Sequence, residues 1–179
     1  NNCPDNVSLV GYFQTEKYFK KIEEEIREDF TFKDDIRLPC EEMISGIDKP
    51  IALHIRRGDF LRNSGNHHNL HVDYFRRALD MFPSNRNVAI FSDDPKWCKE
   101  QELFDDDRFL VATGNSSYVD LCLMSMCSDF IIANSTFSWW GAWLANKGRV
   151  IAPSRWFGPN NQHLDTKDLY PEHWEIIDG

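Results

Sequence analysis

Three short stretches combine residue types that bind anions or nucleotides, and each follows an apolar run. In the first, Arg56 and Arg57 come directly after residues 51–55, with Gly58 and Asp59 next in the chain. A guanidinium presents a planar fork to phosphate oxygens and stays charged, so the pair predicts an anion site. The alternative is a pair of solvated arginines in salt bridges.

The second stretch is an aspartate pair, Asp93 and Asp94, between Ser92 and Pro95. Carboxylates accept hydrogen bonds from the N–H groups of a guanine edge, and they also cap helices. Capping explains one aspartate more readily than two, and both interpretations stay open. His54, inside the first apolar run, is either a further binding residue or a buried core histidine.

The third stretch, residues 134–144, reads N-S-T-F-S-W-W-G-A-W-L. Hydroxyl side chains at a helix start offer O–H donors beside free backbone N–H groups, where the helix dipole favours an anion. This predicts a diphosphate site, and simple N-capping by Ser135 or Thr136 is the alternative. Trp139 and Trp143 are four residues apart, which predicts one buried helix face that acts as scaffold.

Short apolar strands that alternate with helices are predicted to position these stretches. Strands separated by helices of about ten residues require crossover connections, which give a parallel sheet. The sequence therefore predicts an α/β fold, a Rossmann-like parallel sheet with helices on both faces and ligands at the carboxyl ends of its strands. The predicted strands are 51–55, 88–91, 109–111, 129–133 and 149–152. The predicted helices are 12–30, 73–81, 95–103, 117–127 and 137–146. Residues 31–50 are predicted as a short helical piece with connectors, and residues 153–179 as mostly loop with a short closing piece.

Composition excludes several classes of protein. A net charge of −9 over 179 residues argues against an electrostatic nucleic-acid binder. No apolar run approaches a membrane span, and the five cysteines lack C-x-x-C spacing, so a soluble, cytoplasmic protein is predicted. The chain has no G-x-G-x-x-G, G-x-x-x-x-G-K-[ST], H-E-x-x-H or G-x-S-x-G motif. These absences argue against a dinucleotide dehydrogenase, a P-loop enzyme, a zincin and an α/β-hydrolase, respectively.

Two polar tracts could suggest a metal site, but neither has a convincing ligand pattern. Asp105, Asp106 and Asp107 precede a predicted strand, which places them at the sheet edge opposite the ligand side. The tract from His67 to His71 lacks cysteine or acidic partners at matching spacing. No metal is predicted, and the histidine tract is a candidate for substrate contact as a polar loop over the active face.

Together, the motifs resemble those of a known family. H-I-R-R-G-D-F at 54–60, F-S-D-D at 91–94 and the Trp-rich block at 134–144 are similar to the α-1,2-fucosyltransferases, within the inverting fucosyltransferases that carry an HxRRxD motif. The resemblance spans almost the whole chain and includes residues 11–14, 73–75, 97–98 and 123–125. It implies a GT-B-like fold, GDP-fucose as the donor, no required metal or cofactor, and inverting transfer of fucose, commonly to a galactose 2-hydroxyl of a glycan acceptor.

The resemblance also implies roles for individual residues. Arg56 would bind the β-phosphate and act in catalysis, with support from Arg57. His54 and one of Asp93 and Asp94 would contact guanine. Asp59 is a candidate general base, and an ion pair with an arginine is the alternative. The diphosphate site would be lined by Ser135, Thr136, Phe137 and Ser138.

One feature of the family is missing from the sequence. Members usually carry an additional N-terminal lobe that opens with a glycine-rich G-G-L-G-N-Q segment, and nothing in this chain matches it. We therefore expect residues 1–50 to be a connecting region at the end of a truncated N-terminal lobe, and residues 51–179 to be the GDP-sugar-binding domain. The alternatives to a transferase are a non-catalytic nucleotide-sugar or carbohydrate-binding module and a nucleotide-sugar hydrolase.

Overall fold

The computed structural model describes residues 6–8, 10 and 13–179, and its main feature is one six-stranded parallel sheet. The predicted positions Cys3, Gly11 and Tyr12 lie outside the described residues. The strands are β1 (Ile51–Ile55), β2 (Val88–Ser92), β3 (Phe109–Val111), β4 (Asp129–Ile131), β5 (Val150–Pro153) and β6 (Glu175–Ile177). The helices are α1 (Glu23–Asp29), α2 (Asp34–Ile44), α3 (Gly58–Arg62), α4 (Val72–Leu79), α5 (Pro95–Lys99), α6 (Ser117–Met126) and α7 (Thr136–Ala145).

The strand order creates a place for a ligand. The sheet runs β3-β2-β1-β4-β5-β6, and every neighbouring pair is parallel. The chain moves outward in one direction from β1 to β3 and then returns to the other side of β1 with β4. In open α/β sheets a crevice forms outside the carboxyl ends of the strands at such a switch point. The predicted Rossmann-like fold is confirmed, and its switch point lies between β1 and β4.

Alternating residues of β1 pack on opposite faces of the sheet. Ile51, Leu53 and Ile55 lie in a buried cluster with residues of α4 and α5. Ala52 lies in a second cluster, with residues of α2, α6 and α7. All five β1 residues are buried, as the continuous apolar run predicts. Helices therefore cover both faces, and β1 is fixed at the centre.

The N-terminal segment departs from the predicted helix. Residues 16–22 form two 3₁₀ turns before α1 begins at Glu23. Phe19 lies between these turns, with its ring stacked on Trp140 at 5.7 Å and edge-on to Trp143 at 5.2 Å. Packing against the Trp-rich helix thus accompanies the break in the regular helix.

Two smaller predictions were wrong. The predicted helix 73–81 starts with an aspartate, a residue type that caps helices, but the cap of α4 is His71, whose ring Nδ1 accepts the Asp73 backbone N–H. The predicted helix 95–103 ends at Lys99, and a 3₁₀ turn follows at Glu102–Phe104. The C-terminal stretch is mostly loop, as predicted, and its closing residues form β6, which pairs with β5.

Cysteines of the described residues pack as small apolar side chains. Cys40, Cys98, Cys122 and Cys127 are free thiols and buried. Within residues 6–8, 10 and 13–179, no helix combines the length and the apolar character that a membrane crossing requires.

Gly148, in the turn between α7 and β5, is a position where we expect strong destabilisation on substitution. Its φ is +71°, and a Cβ would lie 1.7 Å from the Ser128 carbonyl oxygen. We expect Gly148→Ala to lower the free energy of unfolding by about 2–3 kcal/mol, measured by urea denaturation, because strain and a backbone clash add. Gly114 has a φ of +79° but open space around it, so Gly114→Ala should cost about 1 kcal/mol. Equal losses for the two variants would contradict this account.

Candidate functional site

A cleft of about 1250 Å³ opens at the carboxyl ends of β1, β2 and β4. It lies at the switch point of the sheet, where the strand order predicts a ligand. Its lining comes from the ends of these strands, from the first turns of α6 and α7, and from three surface segments. The lining residues used below are His54, Arg56, Phe60, His67, Phe91, Asp93, Asn115, Ser117, Asp120, Ser135, Thr136, Phe137, Phe157, Asp165 and Asp168.

Arg56 places its guanidinium in the cleft directly after β1. Nη2 lies 2.9 Å from Asp59 Oδ1, and Nη1 lies 3.2 Å from Asp93 Oδ2. The side chain is 34% exposed, and a guanidinium carries five N–H donors, so donors remain for an anion in the cleft. Two carboxylates thus hold the arginine in place without using all of its hydrogen bonds.

Asp93 also fixes the backbone of the turn that carries Arg56. Its Oδ1 accepts the Arg57 N–H at 2.9 Å. Gly58 permits this approach, since a Cβ there would lie 2.6 Å from Asp93 Oδ2. Asp93 therefore holds both the side chain of Arg56 and the main chain that follows it.

Arg57 and Asp94, both predicted to bind the donor, are not among the lining residues of the cleft. The Arg57 guanidinium lies 3.8 Å from the centre of the Trp97 ring, and its Nε is 3.4 Å from Asp94 Oδ2. Asp94 also accepts the Trp97 N–H at 3.1 Å and so caps α5. Helix capping was one of the two roles that the sequence left open for this aspartate, and the structure shows that Asp94 is a cap.

The first turn of α7 lines the same cleft as Arg56. Ser135, Thr136 and Phe137 line the cleft, and Ser135, the N-cap residue, makes no side-chain capping bond. The first N–H groups of a helix have no partner within the helix, and the dipole there favours an anion. Ser138 is fully buried instead, and its hydroxyl donates to the carbonyls of Ala133 and Ser135.

His54 lies in the floor of the cleft and is 4% exposed. Its ring packs near Phe137, with 5.5 Å between the ring centres. Burial, with a smaller contribution from the charge of Arg56, lowers the pKa of His54 to about 3. The imidazole is therefore neutral, and its buried Nδ1 has no hydrogen-bond partner within the described part of the chain.

Asp120 is a cleft residue that sequence reasoning missed. It lies in the first turn of α6 and lines the cleft with Asn115, Ser117 and Phe91. Burial raises the pKa of Asp120 above its ordinary value, although the hydrogen bond from Asn115 Nδ2, at 2.9 Å, opposes the shift. The position of Asp120 along the chain could have identified it. Because α6 follows β3, the start of α6 lies at the edge of the sheet where ligands bind.

The Trp-rich helix α7 supports the far walls of the cleft. Trp139 Nε1 donates to the carbonyl of Leu169 at 2.9 Å, and Trp143 Nε1 donates to Glu16 Oε2 at 3.2 Å. The two walls also meet directly, where Lys17 Nζ lies 2.5 Å from Asp168 Oδ1. Trp139 and Trp143 are buried, which agrees with the scaffold predicted for them.

The two tracts considered for metal binding do not form a cation site among the described residues. No group of three or more histidine, cysteine or acidic side chains is arranged there to hold a metal ion. Asp105, Asp106 and Asp107 are exposed and precede β3, at the edge away from the cleft. Of the histidine tract, His67 alone lines the cleft.

Named proteins with similar sequences include two bacterial glycosyltransferases and a human fucosyltransferase. The chain is 39% identical to an α-1,2-colitosyltransferase of Escherichia coli, over 97% of the chain and 63% of the relative. It is 32% identical to the O-antigen biosynthesis glycosyltransferase WbnK of Escherichia coli, over 95% of the chain and 63% of the relative. Human galactoside α-(1,2)-fucosyltransferase 1 is 27% identical, over 88% of the chain and 48% of that protein. The chain thus spans less than two thirds of the length of these relatives.

The fold has a counterpart among solved structures. A crystal structure of NodZ α-1,6-fucosyltransferase soaked with GDP-fucose superposes with a TM-score of 0.54 and 20% identity, covering 80% of this chain and 52% of that one. This likeness supports the GT-B-like architecture. The profile of glycosyl transferase family 11 matches residues 2–178, nearly the entire chain. The resemblance read from the Arg and Trp motifs is therefore confirmed, and the chain belongs to glycosyl transferase family 11.

Proposed function

We propose that this protein transfers L-fucose from GDP-fucose to a galactose-type hydroxyl, in α-1,2 linkage and with inversion. The observation that carries the proposal is the cleft at the switch point, which Arg56 and the uncapped start of α7 line together. A guanidinium and free helix N–H groups form a diphosphate site that needs no metal charge. Named relatives transfer fucose or colitose, and GDP-fucose was soaked into crystals of the structural neighbour.

Each end of the donor has a matching part of the cleft in this proposal. Arg56 and the N–H groups of Thr136 and Phe137 bind the diphosphate. Asp120 accepts hydrogen bonds from the guanine N1–H and N2–H₂, because among the described cleft residues it is the carboxylate that is not paired with a cationic side chain. His54 contacts the donor through its unpartnered ring nitrogen.

The remaining predicted donor residues act indirectly in this proposal. Asp93 positions Arg56, Arg57 stabilises the turn through Trp97, Asp94 caps α5, and Ser138 is packed under the first turn of α7. None of these four needs to touch the donor for the site to work.

The main requirement of the reaction is to stabilise the negative charge of the leaving group. As the bond between sugar C1 and the β-phosphate oxygen breaks, negative charge grows on the phosphate. Donors that are already aimed at that oxygen stabilise the transition state more than the ground state. Arg56 and the start of α7 supply this stabilisation in the proposal.

The proposal also covers the domain division and the cellular location of the protein. We propose that residues 51–179 form the GDP-sugar-binding domain and residues 1–50 a connecting region, although α2 also packs its buried Cys40 against α6. A glycan acceptor and a cytoplasmic location complete the proposal.

The test is a transfer assay with the protein that carries this chain. GDP-fucose and lactose should yield GDP and a fucosylated product, and the anomeric proton coupling of the product should report an α linkage, inverted from the β-linked donor. Fucose transfer with retention, or no transfer from any GDP-sugar including GDP-colitose, would contradict the proposal. GDP binding without transfer would favour the binding-module alternative.

A further inference from the structure

The histidine tract that follows α3 contains three histidines with different surroundings. His68 Nε2 lies 2.9 Å from the carbonyl oxygen of Gly179. His71 Nδ1 lies 2.9 Å from Asp73 Oδ2 and caps α4. The His67 ring lines the cleft, and no hydrogen bond to it occurs within the described residues. Two of the three histidines thus have structural contacts, and the third presents its ring to the cleft.

The position of His67 is fixed from two sides. Its ring stacks on Phe60, with 4.1 Å between the ring centres and 10° between the planes. Its backbone forms an antiparallel bridge with Phe157, and the Gly158 N–H donates to the Asn66 carbonyl at 2.9 Å. A ring held by stacking and by a fixed backbone is oriented before any substrate arrives.

The same stacking partner links His67 to the proposed phosphate site. The Arg56 guanidinium lies 5.7 Å from the centre of the Phe60 ring, whose other neighbour is the His67 ring. Asp59 is also close, since charge on His67 contributes to lowering the pKa of that carboxyl.

The carboxylates of the cleft already have partners, and His54 is buried. Burial works to raise the pKa of Asp59, but the charge and hydrogen bond of Arg56 outweigh it, so the group is a weak base. Asp165 lies 3.0 Å from Lys167 Nζ, and Asp168 is paired with Lys17. Asp120 accepts a hydrogen bond from Asn115. His54 is buried beside the positive Arg56.

We propose that His67 is the general base that takes the proton of the acceptor hydroxyl. The inference rests on the proposed function and names a different residue from Asp59, the base suggested by the sequence motif. The acceptor oxygen forms a bond to sugar C1 while the bond from C1 to the β-phosphate oxygen breaks. The electron pair of that bond stays on GDP, and the acceptor proton passes to a ring nitrogen of His67 and then to water. General-base catalysis of this kind contributes about 10²–10⁴-fold.

The proposal further places the acceptor against the wall formed by Phe60, His67 and Phe157. Aromatic faces beside polar side chains suit a sugar ring, which has apolar C–H faces and hydroxyl edges. The donor base would then contact Asp120, and the acceptor would contact this wall.

The test compares His67→Gln with His71→Gln, the same substitution four residues away at a helix cap. We measure kcat, the KM of each substrate and the Kd of GDP, and we add imidazole to His67→Ala. We expect His67→Gln to lower kcat about 100-fold or more, with GDP affinity within about twofold of wild type. Imidazole should restore part of the turnover of His67→Ala, whereas a structural role would give no rescue. His71→Gln should keep kcat within about threefold.

Other outcomes would overturn the inference. A His67→Gln kcat close to that of wild type would exclude a general base at this position. A loss of GDP affinity that matches the loss of kcat, or an absence of imidazole rescue, would assign His67 a structural role. If wild-type protein binds GDP but transfers no sugar, the proposed function fails first, and this inference fails with it.

Discussion

Replacing Arg56 by alanine is expected to lower kcat/KM for GDP-fucose by about 10²–10³-fold and to weaken GDP binding at least tenfold. The reason is the loss of a positively charged donor that is already held in place by Asp59 and Asp93. Removal of one such donor from a charge-stabilising site typically has an effect of this size. Steady-state kinetics and calorimetric titration with GDP measure the two losses. Arg56→Lys should recover only part of the activity, because an ammonium lacks the planar fork.

The matched control is Arg57→Ala, the neighbouring residue with the same side chain. Arg57 lies outside the cleft, stacked on Trp97 and paired with Asp94, so its loss should lower stability by about 1 kcal/mol and change GDP affinity less than about fivefold. If the two alanine variants lose GDP affinity equally, the assignment of Arg56 as the phosphate ligand is wrong.

Replacing Asp93 by alanine is expected to lower kcat/KM by about 100-fold, although the side chain is not proposed to touch the donor. Asp93 holds the Arg56 guanidinium at 3.2 Å and the Arg57 N–H at 2.9 Å, so its loss releases both the side chain and the turn. A misplacement of about 1 Å in a catalytic group costs on this order. Kinetics with GDP-fucose and a lactose-type acceptor measure the loss.

A conservative variant of Asp93 and a matched variant of its neighbour Asp94 test the role of the Asp93 charge. Asp93→Asn keeps an oxygen for the Arg57 N–H and loses only the charge, so we expect about a tenfold loss of kcat/KM. Asp94→Asn keeps a cap for α5, since asparagine caps as well as aspartate, and should lose less than about threefold. A larger loss for Asp94→Asn than for Asp93→Asn would contradict the proposed roles.

Much of the fold could be predicted because most of its strands are short apolar runs. The predicted bounds 51–55 and 109–111 match β1 and β3. The helix α3 was missed, because Gly58 opens it and five residues are too few to show a helical period. The strand β6 was missed, since Glu175-Ile176-Ile177 gains its place only by pairing with β5.

The candidate site could be predicted by position along the chain, but the direction of its side chains could not. Neighbouring arginines look equivalent in the sequence. In the structure only Arg56 faces the cleft, and Arg57, with φ of −132° and ψ of −58°, turns its side chain to Trp97. Asp120 was overlooked because a carboxylate in the first turn of α6 reads as an ordinary charge near a helix start. Which carboxylates remain unpaired depends on contacts between residues distant in the chain.

The proposed function depends most on the binding of guanosine diphosphate in the cleft. Titration calorimetry with GDP and UDP tests this binding most directly. We predict that GDP binds at least tenfold more tightly than UDP. Asp120→Asn should remove most of this preference, because an amide cannot accept both guanine N–H groups as a carboxylate can. Asp107→Asn, at the opposite edge of the sheet, should retain it. Equal affinity for GDP and UDP, or an unchanged preference in Asp120→Asn, would contradict the account.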